Sequence, residues 1–269
     1  MCTVSWLHTR DGYQLLCNRD ERHTRKPALA PFVQERQGVR FISPVDGDHG
    51  GSWIAVNEFG LTFCLLNRYA CGNGSDTTQI MKPEYRSRGL LLMDVVGCRS
   101  LAEVRTRINR FALEEFQPLT LVVLVPDRPS VLFHWTGCDA VLEDNGEHAM
   151  PLTSSSFDPR GVEACRRGLF EKLVAERGHI DIQLLLDFHS SHLPASGAYS
   201  PCMHREAAAT VSFSWITVTR KVIQFSYLPS APCSPENPPY QRGRRGVPFG
   251  FPVPCSQQDI PLHPLRRGA

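Results

Sequence analysis

Near the start of the chain two alternating runs meet at Asp11-Gly12, and this junction constrains the fold more than any other stretch. Such a dipeptide between alternating runs is the strongest short-range signal for a two-residue hairpin turn. The turn pairs Arg10 with Tyr13, and counting outward pairs Trp6 with Cys17, Val4 with Arg19 and Cys2 with Glu21. Strand alternation sets Cys2, Val4, Trp6, Cys17, Arg19 and Glu21 on one face, and Asn18 and Asp20 on the other. In this register Arg19 is a diagonal neighbour of Cys2, about 7–8 Å away between backbones and within reach of a long side chain. A guanidinium there is expected to lower the thiol pKa and to orient a substrate carbonyl or carboxylate.

Cys2 directly follows Met1, and an initiator Met is cleared only ahead of small side chains. The mature chain is therefore expected to begin at Cys2. An N-terminal cysteine carries a thiol and an α-amine whose reference pKa is about 7.7–8.0, so one residue supplies nucleophile and base together.

Met1-Cys2, the tetrad Asn18-Arg19-Asp20-Glu21, Gly50-Gly51-Ser52-Trp53 and Ser87-Arg88-Gly89, in this order and at this spacing, resemble the NRDE family, also called the transport and Golgi organization 2 family. The resemblance covers roughly residues 1–228. It implies a fold similar to the N-terminal nucleophile hydrolases: α+β, a four-layer αββα sandwich of two antiparallel sheets between helix layers. Asn57-Glu58-Phe59-Gly60-Leu61 and Leu66-Asn67 also look like the cholylglycine hydrolase and penicillin V acylase branch. That likeness implies an oxyanion-stabilising amide at Asn67, for which capping of the following loop is the alternative, and a second active-site arginine at Arg205. Acylases of this type, and many NRDE relatives, carry an Asn after a Leu-Thr or Leu-Ser pair in mid-chain; here Ser154 follows Leu152-Thr153. A hydroxyl is shorter than an amide and reaches less far. The resemblance thus implies catalytic roles for Cys2, Arg19, Asn67 and Arg205. Asp20, Glu21 and Ser154 are candidates for binding. Family members are also associated with haem handling, which leaves a carrier role open beside a catalytic one.

Lys plus Arg number 29 against 27 for Asp plus Glu, so the charge balance gives no reason to expect a nucleic-acid partner. No run reaches the eighteen apolar residues of a membrane span, and no secretory signal pattern opens the chain; a cytoplasmic protein is the expectation. The ten cysteines include no Cys-x-x-Cys pair, and most read as buried small hydrophobes or free thiols, Cys2 being the exception by position. Asp46, Asp48 and His49 lack the ligand count of a metal loop, and His189 and His192 lie where a helix frays before Pro194. No metal and no cofactor are expected.

Arg22 to Pro27 reads either as a solvated basic connection or as charges lining the mouth of a pocket fed by Cys2. Strands are expected over 52–56, 61–66, 119–125, 131–135, 139–143, 209–218 and 221–227, and helices over 90–97, 100–116, 158–178 and 182–189. Residues 70–86 have no periodicity and read as a flap or excursion. From Pro229 onward, ten prolines in forty-one residues and Arg242-Gly243-Arg244-Arg245 divide a basic tail, expected to be largely disordered, from a domain over 1–228.

Two functions follow. One is an N-terminal cysteine nucleophile hydrolase acting on a carbon–nitrogen amide bond of a small molecule. The other is a non-catalytic carrier whose pocket holds a hydrophobic anionic ligand such as haem.

Overall fold

The computed structural model describes residues 2–69 and 85–234, and the backbone of 258–261. The flap expected over 70–86 falls almost entirely outside these residues, as does most of the tail.

The first hairpin forms from β1 (Cys2–Thr9) and β2 (Gly12–Arg22). Its turn is Arg10-Asp11, because Thr9 pairs with Gly12, and the register places Cys2 opposite Arg19 and Val4 opposite Cys17. The pairing is therefore two residues away from the one expected at Asp11-Gly12. Gly12 belongs to the strand at φ 149°, and a Cβ there would sit 2.0 Å from the Val218 carbonyl oxygen. The glycine admits a neighbouring strand and does not form the turn. A shift of two leaves alternation untouched, so the face assignments hold.

β1 and β2 centre a six-stranded antiparallel sheet. β10 (Leu152–Thr153) flanks β1, while β11 (Ala208–Thr219), β12 (Val222–Leu228) and β13 (Gln258–Pro261) extend it beyond β2. β13 comes from the segment read as a tail and pairs antiparallel with β12. The second sheet is a seven-stranded meander in chain order. Its strands are β3 (Leu29–Arg36), β4 (Val39–Val45), β5 (Ile54–Asn57), β6 (Thr62–Asn67), β7 (Leu119–Leu124), β8 (Val131–Trp135) and β9 (Ala140–Glu143). The β3–β4 hairpin was not expected from the sequence. It turns at Gln37-Gly38 with φ of 55° and 71°, the paired positive values of a tight hairpin whose twist matches its strands. β3 lies at the sheet edge, where its Pro31 is tolerated.

Three cores define four layers. Val4, Trp6, Leu15 and Cys17 of one sheet pack against Ile54, Cys64 and Val122 of the other. α1 (Arg88–Val95) and α2 (Leu101–Ile108) cover the outer face of the seven-stranded sheet through Leu91, Leu92, Val104 and Phe63. α3 (Pro159–Arg177) and α4 (Ile182–Ser190) cover the other sheet through Phe170, Phe188, Leu16 and Phe213. This is the αββα sandwich. The Tyr13 hydroxyl crosses between the sheets to donate to the Gly60 carbonyl at 2.7 Å.

The helix ends follow local chemistry. Asp158 caps α3 by accepting from the Gly161 N–H, Pro159 occupies the first turn, and Gly178 closes the helix at φ 79°. Ser100 caps α2, but the helix expected to run on to Phe116 stops at Ile108 and is followed by a short 3-10 turn over Leu113–Glu115. Among the described residues no helix is long and apolar enough to cross a membrane.

Candidate active site

Cys2 opens β1 on the face turned toward the second sheet, and Asn67 closes β6 on that sheet, so both reach a cavity of about 410 Å³ at one end of the sandwich. Arg19, Glu21, Trp53 and Arg88 also line it, with Arg25, Asp46 and Arg86.

Arg19 lies directly across from Cys2 in the ladder. Its Nη2 donates to Asp46 Oδ2 at 2.6 Å and stands 3.5 Å from Glu21 Oε2. Its guanidinium carbon sits 4.1 Å from the centroid of the Trp53 ring, a cation–π contact in a partly dry site. Arg25 donates to both oxygens of Asp46 at 2.7 Å, so the basic loop does reach the cavity mouth. Burial raises the Asp46 pKa, but Arg25, the His49 N–H and Arg19 outweigh it and hold the carboxyl below its usual range. Asp48 pairs with Arg25 at 2.7 Å. Guanidiniums thus answer the carboxylates of this loop.

Two glycine motifs meet beside the thiol. A Cβ on Gly51 would lie 2.6 Å from the Gly89 carbonyl carbon, and the Ser52 N–H donates to the Gly89 oxygen at 3.3 Å. This close backbone approach carries Arg88 to the cavity wall, where its Nη1 donates to the Pro118 carbonyl at 3.1 Å. Burial lowers the Arg88 pKa, and Tyr69 and Glu21 partly offset this.

Ser154 stands beside Cys2, where the resemblance put a polar side chain. The Cys2 N–H donates to Ser154 Oγ at 3.0 Å, and the Ser154 N–H returns a bond to the Cys2 carbonyl at 2.9 Å. The hydroxyl therefore serves the Cys2 nitrogen. The Asn67 amide donates to the Tyr69 hydroxyl at 3.1 Å.

Three candidates stand in settings that the sequence did not show. A hydrogen bond with Cys17, and then burial, push the Cys2 thiol well above its usual pKa. The expected lowering by Arg19 does not occur, because that charge is already matched by Asp46 and Glu21. Arg205 does not line the cavity: its guanidinium lies 4.5 Å from the Phe157 ring centroid. The missed cation is Arg88, whose sequence signal was the Ser87-Arg88-Gly89 triplet. Asp20 faces the helices, on the side of the strand opposite Cys2 where alternation put it. Its carboxylate meets Arg166 at 3.3 Å and accepts from Thr210 Oγ1 at 2.7 Å.

His189 is fully buried, with its Nε2 2.8 Å from Ser5 Oγ. Burial, and secondarily Arg166, lower its pKa to about 3. The unfolded chain, whose histidine titrates near about 6.5, binds a proton that the folded chain refuses. Stability from this group is complete above about pH 6.5 and is lost as pH falls toward about 3. Denaturant titrations of His189→Gln across that window are expected to show a shallower pH slope than the natural chain. An unchanged slope would contradict the buried neutral imidazole.

The family model for Transport and Golgi organisation 2 matches residues 1–192. The chain belongs to this family. Among solved structures it is similar to the Caenorhabditis elegans N-acylethanolamine-hydrolyzing acid amidase ortholog, at 14% identity and a TM-score of 0.54, over 88% of this chain and 94% of that one. It also matches the C2A mutant of conjugated bile acid hydrolase from Clostridium perfringens, at 12% identity and a TM-score of 0.47, over 84% of this chain and 89% of that one. Penicillin V acylase from Agrobacterium tumefaciens matches at 11% identity and a TM-score of 0.47, over 84% of this chain and 82% of that one. No curated protein matches the chain. At such identities the nematode match speaks for the fold, which is that of the N-terminal nucleophile hydrolases. In this family member the tetrad divides by face: Arg19 and Glu21 line the cavity, whereas Asn18 and Asp20 tie the sheet to the helix layer.

Proposed function

We propose that the chain hydrolyses a carbon–nitrogen amide bond through Cys2 once Met1 has been removed. The observation that carries this reading is the position of Cys2, hydrogen-bonded to Ser154 through its nitrogen, at the wall of a cavity lined by Arg19, Arg25, Arg86 and Arg88 against Glu21 and Asp46. The surplus of guanidiniums over carboxylates favours a substrate with an anionic group, and Trp53 and Leu65 offer apolar surface for an acyl chain.

In this mechanism the neutral α-amine takes the proton of the Cys2 thiol, the thiolate adds to the amide carbonyl, and the Asn67 amide donates to the oxyanion. Collapse breaks the carbon–nitrogen bond, and the ammonium returns its proton to the leaving amine. Water, deprotonated by the same amine, then adds to the thioester; collapse breaks the carbon–sulfur bond and releases the carboxylic acid, and the ammonium returns its proton to the Cys2 thiolate. A thiol protonated at rest suits this sequence, since its proton is handed to the leaving group.

The second reading, a carrier for a hydrophobic anionic ligand such as haem, is favoured by the cavity lining, where Arg19, Arg25, Arg86 and Arg88 stand beside Trp53 and Leu65. Intact mass of the chain from its native host, with and without brief exposure to anionic N-acyl amides, separates the two. The hydrolase reading expects loss of Met1 and a transient acyl adduct on Cys2. Full retention of Met1, or binding of the amides with neither adduct nor turnover, would overturn it.

A further inference from the structure

At the opposite face of the six-stranded sheet from the cavity, three separate segments converge. His192 follows α4, Cys202 and His204 lie on the loop entering β11, and Cys233 follows β12. One ligand atom from each of the four side chains lies within 4.8 Å of every other. The Cys202 Sγ is 3.5 Å from His204 Nε2, which is 3.2 Å from Cys233 Sγ. The rings of His192 and His204 meet edge to face at 5.1 Å between centroids.

We propose that His192, Cys202, His204 and Cys233 form a structural zinc site. Zinc takes thiolate at about 2.3 Å and imidazole at about 2.0–2.1 Å, tetrahedrally, so its ligand atoms stand roughly 3.3–3.8 Å apart. The two separations, 3.5 and 3.2 Å, lie at or near that range before any adjustment. Two thiolates and two neutral imidazoles neutralise one divalent ion, and four protein ligands leave no open position, which marks the site as structural and not catalytic. Burial lowers the His204 pKa, keeping its ring in the neutral form a metal needs. Burial also raises the Cys202 pKa, so the ion would displace a thiol proton on binding.

The surroundings say what the ion holds in place. The Asn18 amide donates to the carbonyls of His189 and Pro201, both at 2.9 Å. Thr210 exchanges hydrogen bonds with Met203 and donates to Asp20. Cys202 and His204 lie within this same loop, so zinc would clamp the segment that supports both framework residues of the tetrad. The inference does not rest on the hydrolase reading.

The test uses the full chain purified with reductant, stripped by a chelator and reloaded with Zn(II) or Co(II). One tightly held Zn(II) per chain is expected by elemental analysis, with thiolate-to-cobalt charge transfer and tetrahedral bands for Co(II). Chelation should lower the melting temperature of the natural chain but leave that of a Cys202→Ser/Cys233→Ser variant unchanged. Should that variant fail to fold, His192→Ala, at the exposed ligand, should weaken Co(II) binding by more than the roughly 10–100-fold that loss of an outer-shell partner costs. Cys138→Ser, an exposed cysteine outside the cluster, should bind as the natural chain does. No stoichiometric metal, equal loss in the Cys138 variant, or a Cys202–Cys233 disulfide in place of bound metal would overturn the proposal.

Discussion

Asp20→Ala is expected to destabilise the fold by about 3–5 kcal/mol, because it strands a charge inside the protein. Arg166 and Asp20 are both almost completely buried, each side chain about 1% exposed. The guanidinium also donates to Thr3 Oγ1, to the Ala198 carbonyl at 3.1 Å and to the Tyr199 carbonyl at 3.4 Å. Removing the carboxylate leaves those carbonyl bonds but no counter-charge, and Thr210 loses its acceptor. Denaturant midpoints measure the effect. Replacing the pair together by apolar residues of similar volume should cost much less than Asp20→Ala alone, since neither charge then remains buried. A loss under about 1 kcal/mol in the single variant would mean that water reaches Arg166. The tetrad would then lack the framework role assigned to Asp20.

On the proposed function, Cys2→Ala is expected to lower amide hydrolysis by at least about 10³-fold in kcat/KM, since the thiol is lost and the α-amine, which residue 2 keeps, has no nucleophile left to deprotonate. Cys2→Ser keeps the amine and the shape but offers a hydroxyl, so it should bind substrate with little turnover. Stability should change modestly in both, because the Ser154 contacts are made by the Cys2 backbone. A companion measurement concerns the resting thiol. With Cys17 and burial raising its pKa, alkylation in the folded chain should be slow near pH 7 and should accelerate only above the ordinary thiol range. Arg19→Ala should barely alter that rate, because the guanidinium is paired with Asp46. Hydrolysis that survives in Cys2→Ala would assign the chemistry to another residue.

The first hairpin was legible because its alternation is periodic over both strands. A register error of two residues left every side chain on its proper face, so Cys2 and Arg19 were matched correctly to one side and Asp20 to the other. Helix ends were legible where capping is local, as at Asp158 and Gly178. The β3–β4 hairpin was not, because an edge strand carrying Pro31, Gln34 and Glu35 shows no apolar face to read. Asn57 appeared as a motif residue, yet its amide bonds the Val96 and Cys98 carbonyls and its oxygen accepts from Phe59 and Leu61, which makes it a structural staple of the turn.

The amino-acid sequence alone determined the family and the candidacy of Cys2, because these rest on short motifs in fixed order, and the layer architecture was what that resemblance implied. The tertiary structure decided which charges meet. It put Arg88 at the cavity and Arg205 against Phe157, paired Arg19 with Asp46, and set Cys2 beside Cys17. It also gathered His192, Cys202, His204 and Cys233 from three segments into one cluster. The physical reason is common to all four: pKa, ion pairing and ligand convergence depend on through-space distances of a few ångströms between residues far apart in the chain, and no spacing in the sequence encodes those distances.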